Sequence, residues 1–306
     1  CLALTAAVWI FLKVIPVPEP DYYQKADGSM MSFTGEVIQK EYRMDFTGKK
    51  IPVLYLQSAS DRESCVQCYM DTGQYREPFL GETVQMSGRF KNFSKATNPG
   101  EFDSRQYYSI LKIQYQMKDA FITASDHKKD GYREKLYHIR CYMSSVLDHC
   151  LNPQDASIMK AMLLGDKTDM DADIKELYKK SGIIHILAIS GLHISIIGMG
   201  LFRLLRRCRL GVLPATLFCV GVMWSYGIMT GMSTSAFRAI LMFAVHLTAG
   251  IIGRTYDMLT GLALAAILLL ADQPLYVFHS GFLMSFAAII GIGLILPEIR
   301  PMHFVK

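Results

Sequence analysis

Apolar and polar positions alternate from about Met30 to Ser125 in the period of strands. The clearest runs are Phe33–Ile38, Ile51–Leu56 and Thr83–Phe90, set between turns rich in Gly, Asp and Ser, with a last run at Asp119–Ala124 placed to close the set. This predicts an all-β domain over residues 30–125, of a size suited to a small barrel. From Tyr132 to Leu151 the spacing becomes helical. Leu136, Ile139, Met143, Val146, Leu147 and Cys150 share a face, and Arg133, Glu134, Lys135 and Arg140 fall between them. The pattern predicts a helix lying on a surface, protein or membrane, and residues 131–180 read as amphipathic helices. Five apolar spans follow, at about Ile184–Phe202, Gly211–Gly231, Ser235–Ile252, Tyr256–Ala271 and Leu275–Pro297. At the other end, Cys1–Ile15 is apolar except for Lys13 and reads as the tail of a membrane helix, which Pro16, Pro18 and Pro20 bring to a stop.

Charge sharpens this division. Residues 1–180 carry 24 Lys or Arg against 24 Asp or Glu, whereas residues 181–306 carry 8 against 3, so the net +5 lies in the second half. A segment so poor in charge and so divided into apolar runs calls for lipid as its solvent, which excludes one homogeneous soluble fold. The balanced first half argues against a strongly basic nucleic-acid domain there. Arg203, Arg206, Arg207, Arg209, Arg254, Arg300 and Lys306 all fall in alternate loops, and the loops at Gly231–Ser235 and Asp272–Pro274 have no Lys or Arg. The positive-inside bias makes the arginine loops cytoplasmic, which places the β domain outside the cytoplasm.

An exterior location permits disulfides. Cys65-Val66-Gln67-Cys68 lacks a second CxxC or a flanking His, so a local disulfide or free thiols is favoured over a metal half-site. In the apolar half every polar group is a functional candidate. The densest cluster is His185 to His193, where Ser190-Gly191 is either a helix break facing a wet path or a close-packing site. Arg238 is the only charge well inside an expected span, either reaching for the membrane surface or lining a path and contacting an anion as it crosses. His279, Ser280 and Ser285 cluster near the last exterior turn, where helix caps account for most of them.

Five ordered blocks carry a resemblance. The stretch Gly182-Ile183-Ile184-His185-Ile186-Leu187-Ala188-Ile189-Ser190-Gly191-Leu192-His193-Ile194 closely resembles the signature of the ComEC family of competence DNA-uptake channels. Asn98-Pro99-Gly100-Glu101-Phe102-Asp103, Leu163-Leu164-Gly165-Asp166, Ser235-Ala236-Phe237-Arg238-Ala239-Ile240-Leu241-Met242 and Ser280-Gly281-Phe282-Leu283-Met284-Ser285-Phe286 resemble further family blocks in order. The resemblance implies an exterior OB-like domain, an interfacial helix over Tyr132–Leu151, and a competence transmembrane domain of about five helices over residues 183–300. It implies import of single-stranded DNA. It also places His185, Ser190, Gly191, His193, Arg238 and Ser285 in the channel motifs, and Asn98, Pro99, Gly100, Gly165 and Asp166 in structural ones.

The partners it implies are single-stranded DNA, membrane lipid, a competence DNA-receptor protein and a cytoplasmic ATP-driven helicase, with homo-oligomerisation left open. Arg89, Lys91, Phe93, Lys128, Lys129 and Arg133 are the candidate DNA contacts, by backbone charge and aromatic stacking. Residues 1–306 contain neither a His-x-His-x-Asp-His metal run nor a Gly-x-x-x-x-Gly-Lys loop, so no cofactor, metal or enzyme activity is expected of them. A small-solute permease and a non-transporting anchor displaying an OB module are the rival readings.

Overall fold

A computed structural model describes residues 27–44, 48–58, 64–71, 73, 76–182 and 191–295. The opening apolar segment Cys1–Ile15, and His185 and Ser190 of the signature, lie outside the described residues. The chain divides into two compact units, with the boundary between His138 and Ile139.

In the first unit, strands β1 (Met30–Met44), β2 (Lys50–Ser58), β3 (Cys65–Met70), β4 (Thr83–Lys91) and β5 (Ile113–Ser125) form a closed barrel in the order β1-β2-β3-β5-β4. All pairs are antiparallel except β3 with β5, and helix α1 (Ser104–Ile110) lies between β4 and β5. The domain is therefore a mixed sheet with a helix rather than purely antiparallel β. Alternate residues fill its interior: Val37, Leu54, Leu56, Val66, Cys68, Val84, Met86, Phe90, Tyr115 and Met117. Long β1 serves both sides of the closure. Its residues 30–36 pair with β4, and 35–44 pair with β2.

Helix α2 (Gly131–Cys150) follows, then α3 (Pro153–Leu164) and α4 (Ala172–Lys180). The later helices are α5 (Gly191–Arg207), α6 (Val212–Met229), α7 (Thr234–Ile252), α8 (Met258–Asp272) and α9 (Ser280–Ile290). Helix α7 is central. One side packs with α5 and α6 through Ile194, Cys219, Met223, Ile240 and Phe243, and Met242 packs on the other side with Leu262, Leu269, Phe282 and Phe286. Gly198 permits this approach, since a Cβ there would lie 3.0 Å from the Phe243 ring.

Among the described residues, α6 and α7 are long and apolar enough to cross a membrane, while α8 and α9 are shorter apolar helices. The fifth expected span is corrected at its start. Residues Pro274–Phe278 form a 3-10 turn, His279 caps the next helix by accepting the Phe282 N–H at 3.3 Å, and α9 begins only at Ser280. Pro274 and the half-buried His279 cap break what hydropathy alone joins. Outward faces of α5, α6 and α9 expose Leu192, Ile196, Leu217, Phe218, Trp224, Leu283 and Met284. Contiguous apolar surface of this kind is the mark of a lipid or protein contact, not of a face in water.

Candidate functional site

The site in the helical unit is built on the second turn of α7. Gly231 (φ +89°) and Met232 (φ +43°) make the tight turn out of α6, and the Ser233 side chain caps α7 by accepting the Ala236 N–H at 3.2 Å. One turn into the helix, Arg238 points inward and is 5% exposed. Its Nε donates to Ser285 Oγ on α9 at 3.0 Å, and Ser285 Oγ lies 3.2 Å from Ser235 Oγ. Its Nη1 meets the Met242 sulfur at 3.6 Å, and the guanidinium carbon is 5.8 Å from the centre of the Phe286 ring. Nη2 occupies the space left by the missing side chain of Gly191: a Cβ there would be 2.8 Å from it. Three blocks of the sequence, separated by about a hundred residues in all, meet on one guanidinium. Among the described residues no carboxylate lies within ion-pair distance of it. His193 is half-buried one turn along α5.

The Leu-Leu-Gly-Asp block is a helix terminus. Gly165 (φ +69°) ends α3 in the left-handed region, and Asp166 Oδ1 accepts the Thr168 N–H at 3.0 Å and its hydroxyl at 2.6 Å. The adjoining Leu163 carbonyl accepts the Tyr226 hydroxyl at 2.6 Å, which ties this end to α6. Lys160, absent from the sequence candidates, is buried on α3 and held by Asp148 and Asp169, each at 2.8 Å. One lysine among many gives no sequence signal of this role.

In the barrel unit the Asn98–Asp103 block is a self-contained corner. Glu101 accepts the Thr97 and Asn98 N–H groups at 2.9 and 3.0 Å, Gly100 (φ +86°) supplies the bend after Pro99, and Asp103 caps α1 by accepting the Gln106 N–H at 2.8 Å. These bonds, first those from Thr97, hold the Glu101 carboxyl below its usual range. A depressed folded value means that the corner is secured above the ordinary carboxylate range and loosens as pH falls through the lowered value. Amide protection at Thr97 and Asn98, relative to the intrinsic exchange rate at each pH, is expected to fall at acid pH, and Glu101→Gln to show the lower protection already at neutral pH; equal protection in both proteins would refute this role.

The expected DNA contacts fall into different environments. Phe93 is corrected to a core residue: it is buried and stacked on Tyr108 at 4.0 Å and 15°, against Cys65 and Ile113, and offers no face to a base. Arg89 pairs with Asp119 at 3.6 Å, and Arg133 with Asp130 at 3.4 Å and Glu36 at 3.5 Å. Lys91 and Lys128 are exposed, and Lys129 lies 5.8 Å from the centre of the Phe79 ring. Of the two readings left open for Cys65 and Cys68, the local disulfide is the one not formed: they lie on opposite faces of β3, Cys68 inside the barrel and Cys65 in the outer cluster with Phe93. Three strand residues span about 10 Å, beyond disulfide reach. Burial pushes the Cys68 thiol up, away from the reactive thiolate.

The described residues thus combine a β-barrel unit with a helical unit in which two helices are long and apolar enough to cross a membrane and a charged group is enclosed. Residues 162–306 match the family model described as Competence protein. Over 267 residues the chain is 29% identical to ComE operon protein 3 of Bacillus subtilis, covering 87% of this chain and 32% of that protein. A protein of Aquifex aeolicus described as uncharacterized is 29% identical over 139 residues, 45% of this chain and 33% of its own length. Just under half of the chain thus matches a competence-protein model, and most of it is similar to one part of ComE operon protein 3. The chain spans about a third of the length of these curated relatives. No solved structure matches it.

Proposed function

We propose that this chain is part of a conduit that imports single-stranded DNA across the cytoplasmic membrane during competence. The observation that carries the reading is the meeting of three family blocks on the buried guanidinium of Arg238, within helices whose outer faces are apolar. A cation held inside such a layer marks a polar route in preference to a packing seam. The charge asymmetry of the loops supports reading α5–α9 as a polytopic domain whose cytoplasmic end is at Arg203–Arg209, and on that reading Arg238 is near the exterior end. The barrel supports an exterior OB module, since a closed five-stranded barrel with a parallel β3–β5 pair has the architecture of that nucleic-acid-binding fold. Its paired surface charges favour weak, transient contact with the strand. The driving motor is another protein, and the strand, the lipid and a DNA receptor are the partners this role requires.

Cells deleted for the chromosomal gene and complemented with the native full-length protein test the reading. End-labelled duplex DNA is expected to give nuclease-protected label in the cytoplasm with the native gene and background label in the deletion. Undiminished import after deletion would remove DNA uptake and promote the reading as a membrane anchor displaying an interaction module.

A further inference from the structure

We propose that Arg238 is a phosphodiester-binding site, taking one backbone oxyanion of the passing strand on its Nη2 edge above Gly191. The inference rests on the DNA-import reading and names the chemistry of its narrow point. Arg238 is 5% exposed, and its partners among the described residues are neutral groups: the Ser285 hydroxyl, the Met242 thioether, the Phe286 ring and the nearby Tyr256 phenol. A buried charge with only such partners has given up hydration without recovering it from a counter-charge. The nearest structural means of recovery is a transient anion.

The three acids of residues 181–306 do not supply one, and no other carboxylate among the described residues pairs with Arg238. Asp257 is spent capping α8, where it accepts the Thr260 N–H at 2.8 Å; Asp272 closes the far end of the same helix; Glu298 lies outside the described residues. The surrounding backbone adds to the demand for negative charge. Arg238 and Ser285 each sit in the second turn of their helices, so the positive dipole ends of α7 and α9 face the same region. Guanidinium presents paired N–H donors in a plane that matches two oxygens of a phosphodiester.

The geometry also assigns roles to the neighbours. Ser285 anchors Nε and fixes the plane, with Ser235 bonded to it from α7. That leaves the Nη2 edge as the face for the ligand. Gly191 lets the guanidinium lie against α5: a methyl group there would stand 2.8 Å from Nη2 and push it aside. Ser285 and Gly191 are thus both positioning residues.

The test uses full-length protein in deleted cells, at matched membrane abundance, with two substrates: native DNA, and DNA carrying an internal stretch of uncharged methylphosphonate linkages. The native protein is expected to import the uncharged stretch about tenfold more slowly, the equivalent of one charge-assisted hydrogen bond. Arg238→Gln is expected to lower import of native DNA by about the same factor and to treat both substrates alike, and Arg238→Lys to restore part of the preference. Gly191→Ala keeps the charge but pushes the guanidinium out of position and is expected to weaken the preference too, which keeps the test decisive if Arg238→Gln fails to reach the membrane. Native-rate import by Arg238→Gln, or a preserved preference in both variants, would overturn the site. Equal import of the two substrates by the native protein would also overturn it, and would reassign the guanidinium to the phosphodiester of a lipid headgroup. Absence of native import altogether would instead overturn the DNA-import reading itself.

Discussion

Gly35→Val is expected to unfold the barrel unit, with a loss of about 3 kcal/mol or more from overpacking. Gly35 sits where β1 passes from one partner to the other, opposite Ser58 of β2 and Val84 of β4. A Cβ there would lie 2.5 Å from the Gln57 carbonyl oxygen and 2.8 Å from the Phe33 ring. The first neighbour is backbone within the ladder and cannot turn aside, so relief requires parting β1 from β2 at the point of closure. Hydrogen exchange of the full chain in detergent checks this. Fast exchange is expected across β1, β2 and β4 together, whereas a change confined to residues 33–37 would show that the closure tolerates the side chain.

Glu134→Gln is expected to cost about 2–3 kcal/mol and to free the start of α2 from the barrel. The side chain of Lys40 is 3% exposed, with its ammonium 3.2 Å from Glu134, 3.6 Å from Glu77 and 4.3 Å from the centre of the Tyr137 ring. Glu134 also accepts the Leu80 N–H at 2.8 Å. Glutamine preserves an acceptor for that amide but leaves the ammonium with only the half-exposed Glu77 and a ring. Adding Lys40→Met should recover much of the loss, because the stranded charge is then gone. The readout is exchange of residues 77–82 and 131–138, and a Glu134→Gln protein no faster there than the native one would dismiss the clamp.

Alternation exposed β1, β2 and β4 because each shows one face to the core and one to solvent. It missed β3 for a physical reason: Cys65, Val66, Gln67 and Cys68 are all buried, so no period of two survives. Helix α1, seven residues long, was too short for a helical period, although Asp103 before it is a cap signal. In the helical unit Arg238 was legible as a charge in an apolar run, since composition alone makes that costly. Its dependence on Gly191 and Ser285 was not, because the three lie on different helices and only packing brings them together. Lys160 and Glu134 were hidden among the many charges of the first 180 residues; burial, which distinguishes them, is a property of the fold.

Because β1 pairs with both β2 and β4, and β3 with both β2 and β5, every strand of the closed barrel has two bonded neighbours. Among the described residues, main-chain zippering with a visiting peptide or a second copy therefore finds no strand with a wholly free flank. Whatever approaches this unit must be read by side chains and loop ends. Recognition at this surface is accordingly a matter of substitution at single positions, tunable residue by residue without reopening the sheet.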